Sequence, residues 1–271
     1  MKRSFNEKVI IITGSSMGIG NSLAMRLGGY NARLVINARN EEKLLATEKE
    51  LRDLGCEVLS VAGDITLETD CKNLIAATLQ RFGKIDILVN NAGVSMRGTI
   101  GQLSPGVIST VFNVNTVGPV MLTQMALQHI RQTKGSIVFI SSLAGLRGLP
   151  FISVYSAAKM ALTAIAEGLR VETKADGIHI GLIHVGYTEV ESGKTTIGAD
   201  GKLIRLDERK GFFTDTSEDV AKIIAMNISK RKSRTVIGIP GKLFSFLVRY
   251  LPGILEIAIL RSYGRMKKIY Q

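Results

Sequence analysis

The amino-acid sequence predicts a doubly wound α/β fold, a three-layer sandwich in which helices cover both faces of a parallel sheet of about seven strands. Short apolar, β-branched segments alternate with longer amphipathic segments, which is the pattern of βαβ units. Hydrophobic residues make up 45% of the 271 residues, which suits strands that are buried on both faces. A glycine-rich turn also separates the first predicted strand from the first predicted helix.

The predicted elements follow one another along the chain with no internal repeat and no linker. The predicted strands are Val9–Thr13, Arg33–Ala38, Glu57–Val61, Asp86–Asn90, Ser136–Ser141, Ile178–Val185 and Thr235–Ile239. The predicted helices are one from about Gly18, Glu41–Leu54, Leu67–Phe82, Ser104 to about His129, Ser153–Ala175 and Asp219–Ser229. Residues 187–215 are polar and irregular, which is typical of a lid or a binding loop. We therefore predict one domain over residues 1–240 and a C-terminal extension over residues 241–271.

Composition and charge exclude several classes of protein. The net charge is +12, but residues from Lys230 onward hold ten Lys/Arg and one acid, so this tail carries +9. A nucleic-acid-binding domain spreads basic residues over its body, so no nucleic-acid partner is predicted. Two cysteines and an N-terminal segment without an apolar signal indicate a reducing, cytoplasmic location. The three histidines, at positions 129, 179 and 184, lack metal-site or hydrolase-triad spacing, so we expect satisfied structural histidines and no metal.

The glycine-rich turn, Thr13-Gly-Ser-Ser-Met-Gly-Ile-Gly20, has the composition of a phosphate-binding site. Glycines let the backbone turn sharply and approach a pyrophosphate, which then meets the amide groups and the dipole of a helix N-terminus. The spacing G-x-x-x-G-x-G differs from the common dinucleotide fingerprint. The turn residues expected to contact the cofactor are Gly14, Ser16, Gly18, Ile19 and Gly20.

The end of the second predicted strand indicates which dinucleotide is bound. An acid there hydrogen-bonds the ribose of NAD, whereas an arginine accommodates the 2′-phosphate of NADP. Residues 37–40 contain no acid, and Arg39 is a planar donor suited to phosphate. The sequence therefore favours NADP(H). Asp64, which precedes Ile65 after the third strand, is expected either to accept a hydrogen bond from the adenine amino group or to cap the following helix.

Tyr155 and Lys159 lie four residues apart, which places them on one face of a predicted helix. A nearby positive charge stabilises a phenolate, so we expect Lys159 to lower the pKa of Tyr155 from its ordinary value near 10. Tyr155 would then act as a general acid near working pH. Taken alone, the pair is weak evidence, because this spacing occurs by chance on many helices where the tyrosine packs and the lysine is solvated.

Five motifs in order resemble those of the short-chain dehydrogenase/reductases in their single-domain form. The resemblance extends from about residue 5 to residue 240 and implies a Rossmann-type fold with a nicotinamide cofactor. The motifs are Thr13-Gly-x-x-x-Gly-x-Gly20, Asn90-Asn-Ala-Gly93, Asn115, Ser141-Ser142 and Tyr155-x-x-x-Lys159.

The resemblance also implies roles for these residues. Tyr155 would be the proton donor to a substrate carbonyl, or the base in alcohol oxidation. Lys159 would lower its pKa and hold the nicotinamide ribose, while Ser142 would hydrogen-bond the reacting oxygen. Asn115 would hold a water that links the lysine to solvent. From the residues alone, Ser142 as a cap and Asn115 as a satisfied interior amide stay open. The residues that would line the cofactor beside the fourth strand are Asn91, Ala92 and Gly93.

Two departures from the family pattern affect the cofactor site. The usual Pro-Gly after the sixth strand is Val185-Gly186, and the threonine expected five residues beyond that proline is Val190. Thr188 is expected to replace it in holding the nicotinamide amide. Met17 stands where NADP-dependent members often carry a basic residue. Arg39 would therefore bind the 2′-phosphate without a positive charge from that position.

The C-terminal extension is both apolar and basic. Residues 243–260 are strongly apolar and basic clusters flank them, while Arg249, Glu256 and the Pro252-Gly253 break argue against a membrane-spanning helix. A pair of short amphipathic helices on an anionic membrane would explain both properties, so we predict peripheral membrane contact through residues 230–271. A subunit contact and a flap over the substrate pocket are the alternatives.

The sequence thus predicts an NADP(H)-dependent oxidoreductase that interconverts a ketone and a secondary alcohol. The predicted partners are a small-molecule ketone or alcohol, with a hydrophobic substrate such as a steroid, a ketosphingoid base or another lipid-like ketone, and further copies of the chain in a dimer or tetramer. The alternatives are a 3-oxoacyl-carrier-protein reductase and a non-catalytic NADP(H)-binding regulatory protein. The expected location is the cytoplasm, with association at the cytoplasmic face of a membrane.

Overall fold

Seven parallel strands form the central sheet of a computed structural model, which describes residues 1–189, 195–206 and 214–270, with side chains up to residue 267. The strand order is β3-β2-β1-β4-β5-β6-β9, and β7 and β8 form a separate antiparallel hairpin. The strands are β1 (Val9–Thr13), β2 (Arg33–Ala38), β3 (Val58–Ala62), β4 (Ile87–Asn90), β5 (Ser136–Ser142), β6 (His179–Val185), β7 (Thr195–Ile197), β8 (Leu203–Arg205) and β9 (Arg234–Val236).

Helices cover both faces of the sheet, which confirms the predicted three-layer, doubly wound fold. Helices α2, α3 and α8 pack on one face, and α4, α6 and α7 pack on the other. The helices are α1 (Lys2–Phe5), α2 (Gly18–Gly28), α3 (Glu41–Asp53), α4 (Glu68–Phe82), α5 (Pro105–Phe112), α6 (Gly118–Thr133), α7 (Ser153–Glu172), α8 (Ser217–Ser229), α9 (Ile239–Tyr250) and α10 (Pro252–Tyr270).

The apolar strands are continuous because both of their faces are buried. Every residue of β1 and of β6 is buried. Along β1, Ile10 and Ile12 belong to the core on one face of the sheet, whereas Val9 and Ile11 belong to the core on the other. Alternate side chains of a strand point to opposite faces, so a covered parallel sheet favours apolar residues at successive positions.

The strand order reverses between β1 and β4, and this switch point positions the site. Crossovers on either side of such a point leave a crevice at the carboxyl ends of the strands. The turn after β1, Arg39 after β2, Asn91 after β4 and Ser142 at the end of β5 all lie at this edge. Residues that are far apart in the sequence therefore meet there.

Three elements differ from the sequence prediction. The N-terminal segment forms the short helix α1 before β1. The long helix predicted from Ser104 to about His129 is α5 and α6, joined by a π-helical turn at Asn113–Val117. The last strand ends at Val236 instead of Ile239, because Gly238 has a φ of 77° and Pro240, which has no N–H for a sheet, enters the first turn of α9.

The predicted irregular segment 187–215 contains the β7–β8 hairpin, and its residues 190–194 and 207–213 lie outside the described part of the chain. The hairpin rests on the segment after β4, since the Ile197 amide donates to the Ser95 carbonyl at 3.1 Å. The Ser95 and Thr196 hydroxyls are 2.7 Å apart. The division at residue 240 stays a prediction.

A buried aspartate ties the N-terminal strand to the middle of the sheet. Asp86 bonds Lys8 at 2.7 Å, Lys84 at 2.9 Å and the Val9 amide at 2.9 Å. Burial alone would raise the pKa of this carboxyl, but these hydrogen bonds outweigh it and hold the pKa below its ordinary value.

Replacing Asp86 with asparagine is expected to lower the free energy of unfolding at pH 7 by roughly 2 kcal/mol, because a buried ionic hydrogen-bond network is broken. A depressed carboxyl pKa contributes stability above the unfolded pKa of about 4 that is lost as pH falls. The difference from the wild type should therefore shrink on acidification. Urea unfolding against pH measures this. Asp53→Asn, at the exposed Lys49–Asp53 pair, is the control and should change little; a constant Asp86→Asn difference down to pH 3 would contradict the assignment.

Candidate active site

A cavity of about 660 Å³ opens at the carboxyl edge of the sheet, and all the residues predicted to bind the cofactor or take part in catalysis line it. Its volume lies within the usual range for small-molecule sites. The structure therefore brings together the glycine-rich turn, Arg39 and Asp64 at one part of the lining with Ser142, Tyr155 and Lys159 at another.

The glycine-rich turn has a backbone that requires glycine. Gly14 and Gly18 have φ values of 64° and 59°, in the left-handed region. A Cβ on Gly14 would lie 2.8 Å from the Ala92 Cα, and one on Gly20 would collide with the Gly14 carbonyl oxygen. Helix α2 begins at Gly18, and Met17 is its N-cap residue. The Met17 side chain makes no capping hydrogen bond, so it does not occupy the first N–H groups of α2. The turn fits a pyrophosphate.

Asn91 holds this turn in place. Its side-chain amide donates to the Thr13 and Gly14 carbonyl oxygens, both at 2.9 Å. The Thr13 hydroxyl in turn accepts from the Asn91 and Ala92 amides at 3.1 and 3.0 Å. Asn91 therefore also joins the ends of β1 and β4, whereas the sequence analysis predicted only that it lines the cofactor.

Arg39 and Asp64 form an exposed pair at the end of the cavity. The Arg39 Nη1 is 3.7 Å from the Asp64 Oδ2, and the arginine side chain is 61% exposed. Asp64 Oδ1 accepts from the Thr66 amide at 2.9 Å, which closes a turn before α4. Leu67 occupies the N-cap position of α4, so Asp64 is not its cap.

Lys43 is a further cation of the cavity lining, near Arg39 in the sequence, that the sequence analysis missed. It lies in the first turn of α3, where the Asn40 side chain caps the helix by accepting from the Lys43 amide at 2.8 Å. The available signal was its place, three residues beyond a capping asparagine that directly follows Arg39. Arg39 and Lys43 thus give the cavity two positive charges beyond the end of β2.

Asn115 is fully buried in the π-helical turn, and its side chain is satisfied by backbone groups. Its amide donates to the Val94 carbonyl at 2.8 Å and the Val111 carbonyl at 2.9 Å, and its Oδ1 accepts from the Val94 amide at 3.3 Å. A Cβ on Gly93 would be 2.8 Å from Asn115 Oδ1 and 3.2 Å from Lys159 Nζ. Asn115 is therefore a satisfied interior amide, which is the alternative that the sequence left open, and its side chain lies near Lys159. Single π turns occur often at functional sites.

Ser142 forms the cap that was one of its two predicted roles, and it also contacts Tyr155. Its Oγ accepts from the Ala144 amide at 3.2 Å, which caps the short 3₁₀ turn Leu143–Gly145. The same side chain is hydrogen-bonded to Tyr155. The serine is thus oriented by the backbone on one side and faces the phenol on the other.

Tyr155 and Lys159 are adjacent, but the electrostatics differ from the sequence expectation. The Lys159 Nζ lies 5.9 Å from the centre of the Tyr155 ring and donates to the Ile140 carbonyl at 2.9 Å. Burial raises the pKa of Tyr155 above its ordinary value of 10.0, and the Ser142 hydrogen bond opposes this without reversing it. Burial lowers the pKa of Lys159 to about 8. Burial therefore moves the pKa of the lysine, and not that of the tyrosine, toward neutral pH.

The two strand histidines, His179 and His184, are buried in β6. His179 is hydrogen-bonded to the Ser136 hydroxyl and the Lys232 carbonyl, as expected. His184 Nδ1 bonds the Ser142 carbonyl at 3.1 Å, whereas its buried Nε2 has no hydrogen-bond partner among the described residues, so only half of this side chain is satisfied. Burial lowers the pKa of His184 to about 4, so the ring is neutral at pH 7. Within the described ranges, no group of three or more His, Cys, Asp or Glu side chains is placed to hold a metal ion.

Thr188 lines the cavity just after β6. An isolated parallel bridge pairs it with Asp215, and the Glu189 amide donates to the Asp215 carbonyl at 3.0 Å. This pairing fixes the backbone beside the cavity on the side of β6. Val190 lies outside the described residues.

Residues 8–199 match the family model described as short chain dehydrogenase. The chain is also 38% identical over 230 residues to a protein of Arabidopsis thaliana named 11-beta-hydroxysteroid dehydrogenase-like 4A. That alignment covers 84% of this chain and 75% of the relative.

Two solved structures share the fold. A short chain dehydrogenase/reductase from Burkholderia phymatum in complex with NAD superimposes with a TM-score of 0.80 at 24% identity, covering 94% of this chain and 96% of that one. A metagenomic short-chain oxidoreductase in complex with NADP gives a TM-score of 0.71 at 27% identity, covering 86% and 98%.

Proposed function

The chain belongs to the short-chain dehydrogenase/reductase family, and from this premise we propose that it interconverts a hydrophobic ketone and its secondary alcohol with NADP(H). The observation that carries the proposal is the arrangement of Tyr155, Ser142 and Lys159 in the cavity lined by the glycine-rich turn. A buried proton donor beside a glycine-rich turn that fits a pyrophosphate suits carbonyl reduction with a dinucleotide cofactor.

NADP(H) is proposed as the cofactor because of the charge beyond the end of β2. One structural neighbour holds NAD and another holds NADP, so a nicotinamide dinucleotide fits the family. The choice between NAD and NADP therefore rests on this chain's own residues. Arg39 and Lys43 both line the cavity there, and no acid is present at residues 37–40. The two side chains would bind the 2′-phosphate.

In the proposed reduction, Tyr155 donates its hydroxyl proton to the substrate oxygen. Ser142 Oγ donates a hydrogen bond to that oxygen and stabilises the negative charge that develops on it. When bound, NADPH supplies the hydride that adds to the carbonyl carbon. The phenolate left on Tyr155 then takes up a proton from solvent, and alcohol oxidation is the reverse.

Lys159 and Asn115 would support this proton transfer. A charged Lys159 stabilises the Tyr155 phenolate, which the buried environment otherwise disfavours. Asn115 fixes the backbone at Val94 and Val111 around the lysine, as its hydrogen bonds indicate. We retain the proposal that its turn supports a water-linked proton path from Lys159 to solvent.

A hydrophobic substrate is proposed from two observations. The name of the Arabidopsis relative refers to a steroid dehydrogenase, and the C-terminal helices described below carry an exposed apolar face. NADPH consumption over ketosteroids, 3-ketosphinganine and acetoacetyl thioesters would test the proposal. Turnover confined to the thioesters would favour the carrier-protein reductase, and NADPH binding without turnover of any ketone would favour a non-catalytic protein.

Replacing Arg39 with alanine is expected to raise KM for NADPH about tenfold and to leave KM for NADH unchanged, because an exposed ionic hydrogen bond to phosphate is worth about 1.5 kcal/mol. Lys43→Ala should have a smaller effect in the same direction. Lys49→Ala, on the same helix but absent from the cavity lining, is the matched control. Equal losses for the two cofactors would contradict the phosphate assignment.

We also propose that the chain assembles as a dimer or tetramer, which light scattering after gel filtration would measure. Its predicted cytoplasmic location stays a prediction.

A further inference from the structure

The two C-terminal helices both expose large apolar side chains. On α9 these residues recur at intervals of four, three and four, which places them on one side of the helix, and α10 continues the set after Leu251. The exposed fractions include 83% for Ile239 and 66% for Leu260. We define the C-terminal apolar face as Ile239, Leu243, Phe246, Tyr250, Ile254, Ile257 and Leu260. Large exposed apolar patches on folded proteins usually mark interaction sites, so this face needs an explanation.

Positive charges border this face. The exposed cations on the two helices are Lys242, Arg249, Arg261, Arg265 and Lys267. The single acid among residues 239–267, Glu256, forms an ion pair with Arg147 of the main domain, so it is already neutralised. Arg249 also lies 5.5 Å from the Tyr250 ring centre. An apolar helix face with cations at its border and a tyrosine among them matches the interface of an anionic bilayer.

The shape of the extension favours lying on a bilayer over crossing one. Among the described helices, the segment Pro105–Thr133 is long and apolar enough to cross a membrane. Its inner side, however, belongs to the hydrophobic core. Ile239–Tyr250 and Pro252–Lys267 are long and apolar enough to cross a membrane only when taken together, and the two helices are bent by 118° relative to each other. Helix α9 alone spans about 18 Å, well short of an apolar bilayer core of about 30 Å.

A second copy of the chain fits this face less well. An isologous dimer contact places the same patch of both subunits together. The cations beside the face of one subunit would then lie close to the same cations of the other subunit. The carboxylate of Glu256 would offset them little, because it is already paired with Arg147. Anionic lipid supplies the missing negative charge.

We propose that the C-terminal apolar face docks the protein onto an anionic phospholipid surface. The same helices hold the segment between Ser142 and the helix that carries Tyr155. Tyr263 stacks on Phe151 with ring centres 5.3 Å apart, and Gly241 packs against Leu143. Docking therefore brings this segment near the lipid, and if the proposed function holds, a lipid-dissolved ketone reaches the site from the membrane.

Vesicle flotation of the full chain tests the docking without using activity. We expect binding to phosphatidylcholine vesicles that contain phosphatidylserine, weaker binding to pure phosphatidylcholine, and release by salt. The double substitution Leu243→Glu with Phe246→Glu should abolish flotation. Lys242→Gln with Arg249→Gln should weaken binding roughly fivefold per cation removed.

Leu54→Glu with Val171→Glu is the matched control, because it adds the same charges at exposed apolar positions outside the face, and it should float like the wild type. Melting temperature and NADPH binding verify that each variant is folded. Failure of the wild type to bind anionic vesicles would overturn the proposal, as would equal flotation of the Leu243→Glu, Phe246→Glu variant. A change in oligomeric state of that variant with unaltered flotation would assign the face to contact between copies instead.

Discussion

Replacing Tyr155 with phenylalanine is expected to lower kcat for ketone reduction about a thousandfold, because the substitution removes the proposed proton donor. The phenol is buried and hydrogen-bonded to Ser142, and phenylalanine fills nearly the same volume, so the fold and NADPH affinity should be preserved. Single-turnover measurement of NADPH absorbance reports the loss in the chemical step. Fluorescence titration reports NADPH binding.

Tyr30→Phe is the matched control for this prediction. Tyr30 stacks on Phe5 with ring centres 5.9 Å apart and does not line the cavity, so loss of its hydroxyl should leave kcat unchanged. A Tyr155→Phe protein with wild-type kcat would remove the proton-donor assignment. If neither the wild type nor the variant turned over any ketone while both bound NADPH, the non-catalytic alternative would be favoured instead.

The fold could be predicted because its signals are local. Strands buried on both faces are mostly apolar, so β1 is visible as a run of Val and Ile, and β6 as a run of Ile, Leu and Val that also contains two histidines. The site residues could be predicted because they follow strand ends, and a parallel sheet gathers its carboxyl ends at one edge. Ser142 and the glycine-rich turn meet for that reason.

Features that depend on tertiary packing could not be predicted. Lys43 joins the cavity through the position of α3, whose first turn is capped by Asn40. Asn115 bonds Val94 and Val111 because the helix widens into a π turn, and periodicity does not distinguish that turn from a continuous helix. The second helix of the extension is nineteen residues long instead of short, and its stacking of Tyr263 on Phe151 joins distant parts of the chain.

The electrostatics of the Tyr155–Lys159 pair illustrate the same limit. Spacing places the two residues on one side of α7, and from it we expected a tyrosine with a lowered pKa. Burial, which sequence spacing does not report, raises the pKa of Tyr155 and lowers that of Lys159 to about 8. The charge state of the lysine therefore changes first as pH rises.

Replacing Lys159 with methionine is expected to lower kcat about a hundredfold at pH 7, because the charge that stabilises the Tyr155 phenolate is lost. The lysine is protonated below its pKa of about 8 and loses its charge as pH rises through that value. Affinity for the anionic NADPH should therefore fall over the same range in the wild type, and titration of the dissociation constant from pH 6 to about pH 9 measures this.

Three variants separate the lysine from the tyrosine in that titration. Tyr155→Phe should retain the pH dependence of NADPH affinity, since the pKa of Tyr155 lies above the range. Lys159→Met should lack it, and Lys159→Arg should lack it too, because a guanidinium keeps its charge there. A pH dependence that persists in Lys159→Met but disappears in Tyr155→Phe would assign the titration to the phenol. A pH dependence that disappears in both Tyr155→Phe and Lys159→Met would instead return the pair to the simpler expectation, in which Lys159 lowers the pKa of Tyr155 toward neutrality.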